Sequence, residues 1–126
     1  MEQRYLIDTN VIIDNFGNKL SENAIKLLYS IELTISAVTK IEVLGWMNAT
    51  KGQLQPLYDF MEIVNILPIN DAVIERTIAI RQVKKIALGD AIIAATALVY
   101  DLVVISRNTD DFKNIKDLQV IDPHSL

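Results

Sequence analysis

Apolar residues change their spacing several times along this chain, and each change marks the edge of an element. Tyr5-Leu6-Ile7 is an unbroken apolar run that stops at Asp8, the pattern of a short strand, and Thr9 to Asn15 follows as a helical turn opened by Asp8 or Thr9. Between Ser21 and Ser30 the apolar positions Ala24, Ile25, Leu27 and Leu28, continued by Ile31, recur at helical spacing. Leu33 to Ser36 reads as a second strand, and Val38 to Ala49 as the helix after it. Leu54 to Glu62 is predicted helical, entered near Gly52 and Pro56, and Val64 to Leu67 is a third strand stopped by Pro68. The stretch from Asp71 to Lys85 is amphipathic, with Val73, Ile74, Ile78 and, at its end, Val83 turned inward. Leu88 to Tyr100 is helical, Leu102 to Ile105 is a strand, and Val120-Ile121 forms a last short strand before Pro123.

Strands alternating with helices predict an α/β fold, a single domain over residues 1–126 with a central, mainly parallel sheet flanked by helices. In such sheets reactive groups gather beyond the carboxyl ends of the strands. The longest apolar region, Ile86 to Ile105, is interrupted by Asp90 and Asp101, so its pieces fall well short of the roughly 20 residues that cross a bilayer. Glu2 and Arg4 precede the first strand directly, with no signal-peptide pattern, so the expectation is a soluble cytoplasmic protein. Absence of cysteine removes disulfide scaffolds and thiol chemistry from consideration. A net charge of −4 argues against a basic nucleic-acid coat and favours a basic partner, without excluding an enzyme that holds phosphates through a bound cation.

Candidate chemistry rests on acids in apolar surroundings, because an unpaired buried carboxylate is costly. Asp8 follows the first strand, where capping a helix is an adequate explanation on its own. Glu42 has Val38, Thr39, Gly45 and Trp46 as its helical neighbours and no partner charge among them, so function explains it better than solvation. Asp90 opens Ala91 to Tyr100, a helix apolar on every side and therefore buried, which carries its acid into the interior or onto a cleft floor. Asp110 and Asp111 lie in a turn after the strand ending at Ile105; Asp111 is preferred, although spacing alone does not separate the two. His124 reads as exposed, and Trp46 as core or interface before a base-stacking platform. Two carboxylates about 4 Å apart repel by roughly 4 kcal/mol at an effective dielectric near 20. A cluster of them therefore needs a divalent cation, and all-oxygen ligands suit Mg²⁺ or Mn²⁺.

Four segments in this order resemble the PIN domain, and within it the VapC-type toxin ribonucleases of type II toxin–antitoxin pairs. They are Leu6-Ile7-Asp8-Thr9-Asn10, Ser36 to Glu42, Gly89-Asp90-Ala91 through Leu98, and Ser106-Arg107-Asn108-Thr109-Asp110-Asp111-Phe112. The resemblance implies that Asp8, Glu42 and Asp90 are the core acids of a Mg²⁺ site, with Mn²⁺ as a substitute, and that Asp111 and Asn108 belong to a more variable fourth motif. Many relatives carry Thr where this chain has Ser106, and the hydroxyl is kept. It further implies a homodimer and a small antitoxin that offers a basic side chain to the acids.

The expected activity is metal-dependent hydrolysis of RNA phosphodiesters. Asp8 and Asp90 would be the principal ligands, Glu42 and Asp111 would complete the site, and Asn10 and Asn108 would orient water or phosphate. Ser106 would support the loop, and Lys40, Arg107 and Lys113 would steer the RNA backbone. A signalling receiver domain is disfavoured: the third strand ends at Leu67-Pro68 without a phosphoacceptor, and Val104 to Arg107 offers no lysine. The remaining alternative is a PIN-like protein that acts mainly as a binding partner, with little nuclease activity.

Overall fold

The structure, a computed structural model, describes residues 3–126. In chain order the elements are β1 (Tyr5–Ile7), α1 (Thr9–Phe16), α2 (Glu22–Ser30), β2 (Thr34–Ser36), α3 (Ala37–Leu44), α4 (Lys51–Ile63), β3 (Asn65–Leu67), α5 (Asp71–Val83), α6 (Leu88–Tyr100), β4 (Val103–Ile105) and β5 (Val120–Ile121). A 3-10 turn over Thr109–Phe112 follows β4, and another over Pro123–Ser125 ends the chain.

All strand pairs are parallel. Leu6 faces Val104 in the β1–β4 ladder, Val104 faces Val120 in the β4–β5 ladder, and Ile35 faces Ile66 in the β2–β3 ladder. β2 lies against β1, which sets the spatial order β3-β2-β1-β4-β5, although no ladder joins β1 to β2. Successive strand residues point to opposite faces, so Leu6 and Val104 feed one core while Ile7 and Ile105 feed the other. The first core packs against α5 and α6 through Val73, Ile80 and the run Ala91 to Ala95; the second packs against α1 to α4 through Val11, Leu28, Val43 and Leu57. Burial on both faces is why these strands read as continuous apolar runs without alternation.

Several boundaries and one face differ from the sequence reading; besides those below, β2 and β4 each begin one residue later, at Thr34 and Val103, and α5 ends at Val83 instead of Lys85. α3 stops at Leu44, not Ala49: a Cβ on Gly45 would stand 2.7 Å from the Ile41 carbonyl oxygen, and Asn48 has φ 73°, so the chain turns there. α4 begins at Lys51 because Thr50 and Gln53 close a reciprocal capping box, and Pro56 lies inside the helix instead of at its entrance. Val64 caps α4, so β3 starts one residue later than expected. On α5 the buried stripe is Val73, Thr77 and Ile80, whereas Ile74, Ile78 and Val83 are 43%, 47% and 86% exposed. Thr77 can occupy that stripe because its hydroxyl donates to the Val73 carbonyl at 2.7 Å and is satisfied locally. Among the described residues no helix is long and apolar enough to cross a membrane.

Candidate metal centre

The carboxyl ends of β1 and β4 lie side by side, and each releases its chain into polar residues at the same end of the sheet. Asp8 leaves β1 and is 3% exposed. One carboxylate oxygen accepts the Thr9 amide at 2.8 Å, which makes Asp8 the N-cap of α1. The other accepts the Ser106 hydroxyl at 2.7 Å and the Asn10 side-chain amide at 3.0 Å. Capping therefore occupies one oxygen, and neutral donors from two strand ends fix the second.

Ser106 organises the loop after β4. Besides donating to Asp8, its oxygen accepts the Asn10 side-chain amide at 3.1 Å and the Asn108 backbone amide at 3.0 Å. Asn10 in turn accepts the Arg107 amide at 3.1 Å, so the uncharged side chains of Asn10 and Ser106 sew β4's loop to α1. Glu42 arrives from α3 and is held by the Thr9 hydroxyl, which donates to it at 2.7 Å and stands 3.1 Å from the Thr39 hydroxyl. The carboxylate presses on Gly89: a Cβ there would meet a Glu42 oxygen at 3.0 Å, so the backbone just before Asp90 and the Glu42 side chain share one space. Any larger residue at 89 would push Glu42 away from α6.

Asp90, in the first turn of α6, is only partly buried. Burial raises its pKa first, and the charges of Asp8, Asp111 and Glu42 raise it further, to about 6. Burial likewise raises Asp8, the Ser106 and Thr9 hydrogen bonds oppose that rise, and Glu42 and Asp111 add to it. The two shifts connect all four acids expected to converge, from positions 8, 42, 90 and 111. Asp111 is exposed in the turn after β4 and contributes charge to both aspartates. Asp110 is neutralised instead by Lys113 at 2.7 Å, which lowers its pKa. Geometry thus separates the two acids that spacing could not.

The donor set suits a hard divalent cation. It is all oxygen, it includes a nearly buried aspartate, and no Lys, Arg or His forms an ion pair with Asp8, Glu42, Asp90 or Asp111 among the described residues. The carboxylates are close enough to feel one another's charge, yet no three described acidic or histidine side chains form a ready-made ligand group. Hydrogen bonds anchor Asp8 and Glu42 separately, and a bound cation would compensate the charge that the acids share.

Other candidates sit differently from expectation. The Asn108 side chain makes no hydrogen bond among the described residues; its backbone amide is what engages the site. Lys113 is held by Asp110, Arg107 is held by Asp14, and Lys40 is exposed. Trp46 is 49% exposed and so is not core. His124 is classed as exposed, as expected, yet its Nε2 lies 3.1 Å from Asp14.

Asp14 itself escaped the sequence reading. It is 1% exposed on α1, and its two oxygens accept one Arg107 guanidinium nitrogen at 2.8 and 3.0 Å. The available signal was its position after Val11-Ile12-Ile13, an acid in an apolar run just like Asp8.

A family model for the PIN domain matches residues 5–118. The chain belongs to the PIN domain family. No curated protein matches it. Among solved structures it resembles a chain of a toxin–antitoxin complex from Klebsiella pneumoniae, with 37% identity, 94% of this chain and 97% of that one covered, and a TM-score of 0.77. It also resembles a chain of FitAcB from Neisseria gonorrhoeae, with 29% identity, 97% and 99% coverage and a TM-score of 0.81. A chain of VapBC-1 from nontypeable Haemophilus influenzae shares 25% identity, with 96% and 98% coverage and a TM-score of 0.80.

Proposed function

We propose that this chain is a Mg²⁺-dependent endoribonuclease and the toxin of a VapBC-type pair, its activity held in check by a small cognate antitoxin. The observation that carries the reading is electrostatic. Four acids remote in sequence gather at the carboxyl edge of a parallel sheet, where the charges of Glu42 and Asp111 help to raise the proton affinity of Asp8 and Asp90, and no cation among the described residues pairs with any of the four. Such a site binds something positive or remains protonated.

In this reading Asp8 and Asp90 are the principal Mg²⁺ ligands, with Glu42 and Asp111 completing the set directly or through water. A bound Mg²⁺ supplies charge neutralisation at the scissile phosphate and activation of water. The chain's residues supply the rest. Ser106 and Asn10 hold the Asp8 carboxylate in one orientation, and Thr9 aims Glu42. The apolar wall of α6, Ala91 to Ala97, excludes water behind Asp90, so its charge is directed toward the cleft. Asn108, exposed on the loop, is placed to meet a phosphate or water from outside.

The similar chains from Klebsiella, Neisseria and Haemophilus come from complexes named for toxin–antitoxin, FitAB and VapBC assemblies, which supports an antitoxin partner here. Homodimerisation and a cytoplasmic location belong to the same reading, and residues 1–126 would act as one nuclease domain. Trp46, half exposed beside the exposed Met47 and Ile41, is placed for a protein interface.

Incubating the purified chain with a panel of structured RNAs in Mg²⁺, with EDTA as control, tests the proposal. Site-specific cleavage that EDTA abolishes supports it. No cleavage of any RNA, alongside tight binding of a small antitoxin-like protein, would favour a binding protein instead.

A further inference from the structure

The chain's cations are unevenly placed. Residues 76–89 contain Arg76, Arg81, Lys84 and Lys85 and no acid, whereas the rest of the chain sets eight cations against sixteen acids. Arg81, Lys84 and Lys85 line a groove of about 540 Å³ between the end of α5 and the start of α6, beside the exposed Ile78 and Leu88. None of the three makes an ion pair among the described residues; the pairs of Lys26, Arg107 and Lys113 lie elsewhere.

The position of this groove gives it meaning. Leu88, on its rim, opens α6, and Asp90 follows two residues later, about 3 Å along the helix axis at 1.5 Å per residue. Gly89, between them, faces the Glu42 carboxylate. Side chains two residues apart on a helix point about 200° apart around its axis, so a polymer lying in the groove meets the acids by rounding the N-terminal end of α6.

We propose that the α5–α6 groove is an RNA subsite in which Arg81, Lys84 and Lys85 hold backbone phosphates next to the phosphodiester presented to the carboxylates. The inference rests on the nuclease reading and adds the element that reading lacks. A chain of net charge −4 with an acidic cleft repels a polyanion at long range, and a local basic groove reverses that field where the strand must enter. Of the positions first expected to steer RNA, Arg107 and Lys113 are paired with Asp14 and Asp110, which leaves Lys40 alone exposed without an ion pair among the described residues.

The dipole of α5 offers a rival explanation, since cations favour a helix C-terminus. It accounts for Arg81 and Lys84, at the last turn and the cap, but not for Lys85 beyond the end or for the lack of any acid from Arg76 to Gly89. An acidic protein would also match the charge. Continuity with the carboxylate site favours the ligand that has to arrive there.

The test measures anisotropy of a fluorescein-labelled oligouridylate with the full chain in EDTA, where cleavage is stopped, and with Arg81→Gln/Lys84→Gln/Lys85→Gln. Loss of three phosphate contacts should weaken binding roughly 10²-fold near 0.1 M salt and reduce the slope of log K against log salt by about 2. Arg81→Lys, which keeps the charge, should retain the wild-type slope. If the triple variant misfolds, Lys84→Gln/Lys85→Gln, at the helix cap and in the loop, should reduce the slope by about 1.

Unchanged affinity and slope overturn the subsite; if Mg²⁺-dependent cleavage persists in wild type and variant alike, the nuclease reading survives without it. If the wild type cleaves nothing yet the variant loses oligouridylate binding, the groove stands as a nucleic-acid site and the nuclease reading falls. A variant that loses self-association or binding to an acidic protein partner while oligouridylate binding is unchanged makes the groove a protein interface, and the proposal is overturned.

Discussion

Asp8 and Asp14 lie six positions apart at the two ends of α1's first turns, are 3% and 1% exposed, and are treated in opposite ways. Asp14 is met by the Arg107 guanidinium through both oxygens and by His124, so its charge is cancelled where it sits. Asp8 receives only neutral donors from Ser106, Asn10 and the Thr9 amide, and three further acids add their fields to that side of the sheet. Burial is common to both; compensation is not. A buried acid that the fold neutralises is a clamp, here joining α1 to the β4 loop and the C-terminal turn. A buried acid left uncompensated is built for a ligand from outside.

The sharpest way to break this contrast is to remove the charge from each side. Asp8→Asn or Asp90→Asn should lower Mg²⁺-dependent RNA cleavage by at least about 10²-fold, the scale of losing one electrostatic stabiliser. Both variants should stay folded, because each relieves repulsion. A variant that cleaves at the wild-type rate in a Mg²⁺ assay sinks its assigned role. Arg107→Met should do the reverse and act on stability: a buried Asp14 left with His124 alone should cost about 3 kcal/mol in urea unfolding, the lower end for breaking a buried pair. If Arg107→Met and Asp8→Asn turned out alike in both assays, the division into clamp and site would be wrong.

Much of this was readable from sequence, for identifiable reasons. β1 and β4 are apolar on both faces, and α6 is apolar all round, so their patterns admit no other reading. Glu42 and Asp90 stood out because each is an acid in apolar company, and Asp8 because it ends an apolar strand. The same logic flags Asp14, but its partners are 93 and 110 residues away, and nothing local distinguishes a distant cation from none. On α5 the hydrophobicity of Ile74 and Ile78 outweighed their angular position, while Thr77 was overlooked because its hydroxyl is satisfied within its own helix. Asp110 and Asp111 are interchangeable as letters; only Lys113, three residues on, separates them in space.

Proton linkage gives a smaller effect on the uncompensated side of this contrast. The folded chain keeps the Asp90 proton until about pH 6, whereas an unfolded aspartate releases it near 3.8. Between those values the folded form binds more protons, so ion-free stability should fall as pH rises through the window and level off above it. Melting temperature in EDTA is the measurement. Added Mg²⁺ should recover most stability above pH 6, where the carboxylates are ionised and the cation replaces the proton. A melting curve unmoved by pH across that range would mean the carboxylates do not share a field. Asp90→Asn should flatten the dependence.

The mildest perturbation acts on a residue through which Asp8's orientation reaches the loop after β4. Ser106 donates to Asp8 and accepts from Asn10 and the Asn108 amide. Ser106→Ala keeps the volume nearly unchanged but leaves Asp8 with one donor fewer, at a cost of about 1–2 kcal/mol. Because that hydrogen bond favours the ionised carboxylate, its loss should raise the Asp8 pKa further, so half-maximal cleavage should demand more Mg²⁺ at a given pH. Ser106→Thr restores the hydroxyl and should restore the Mg²⁺ requirement. If the alanine variant instead loses maximal rate with an unchanged Mg²⁺ requirement, Ser106 serves the loop and not the carboxylate, and Asp8 is held by Asn10 and the α1 amide alone.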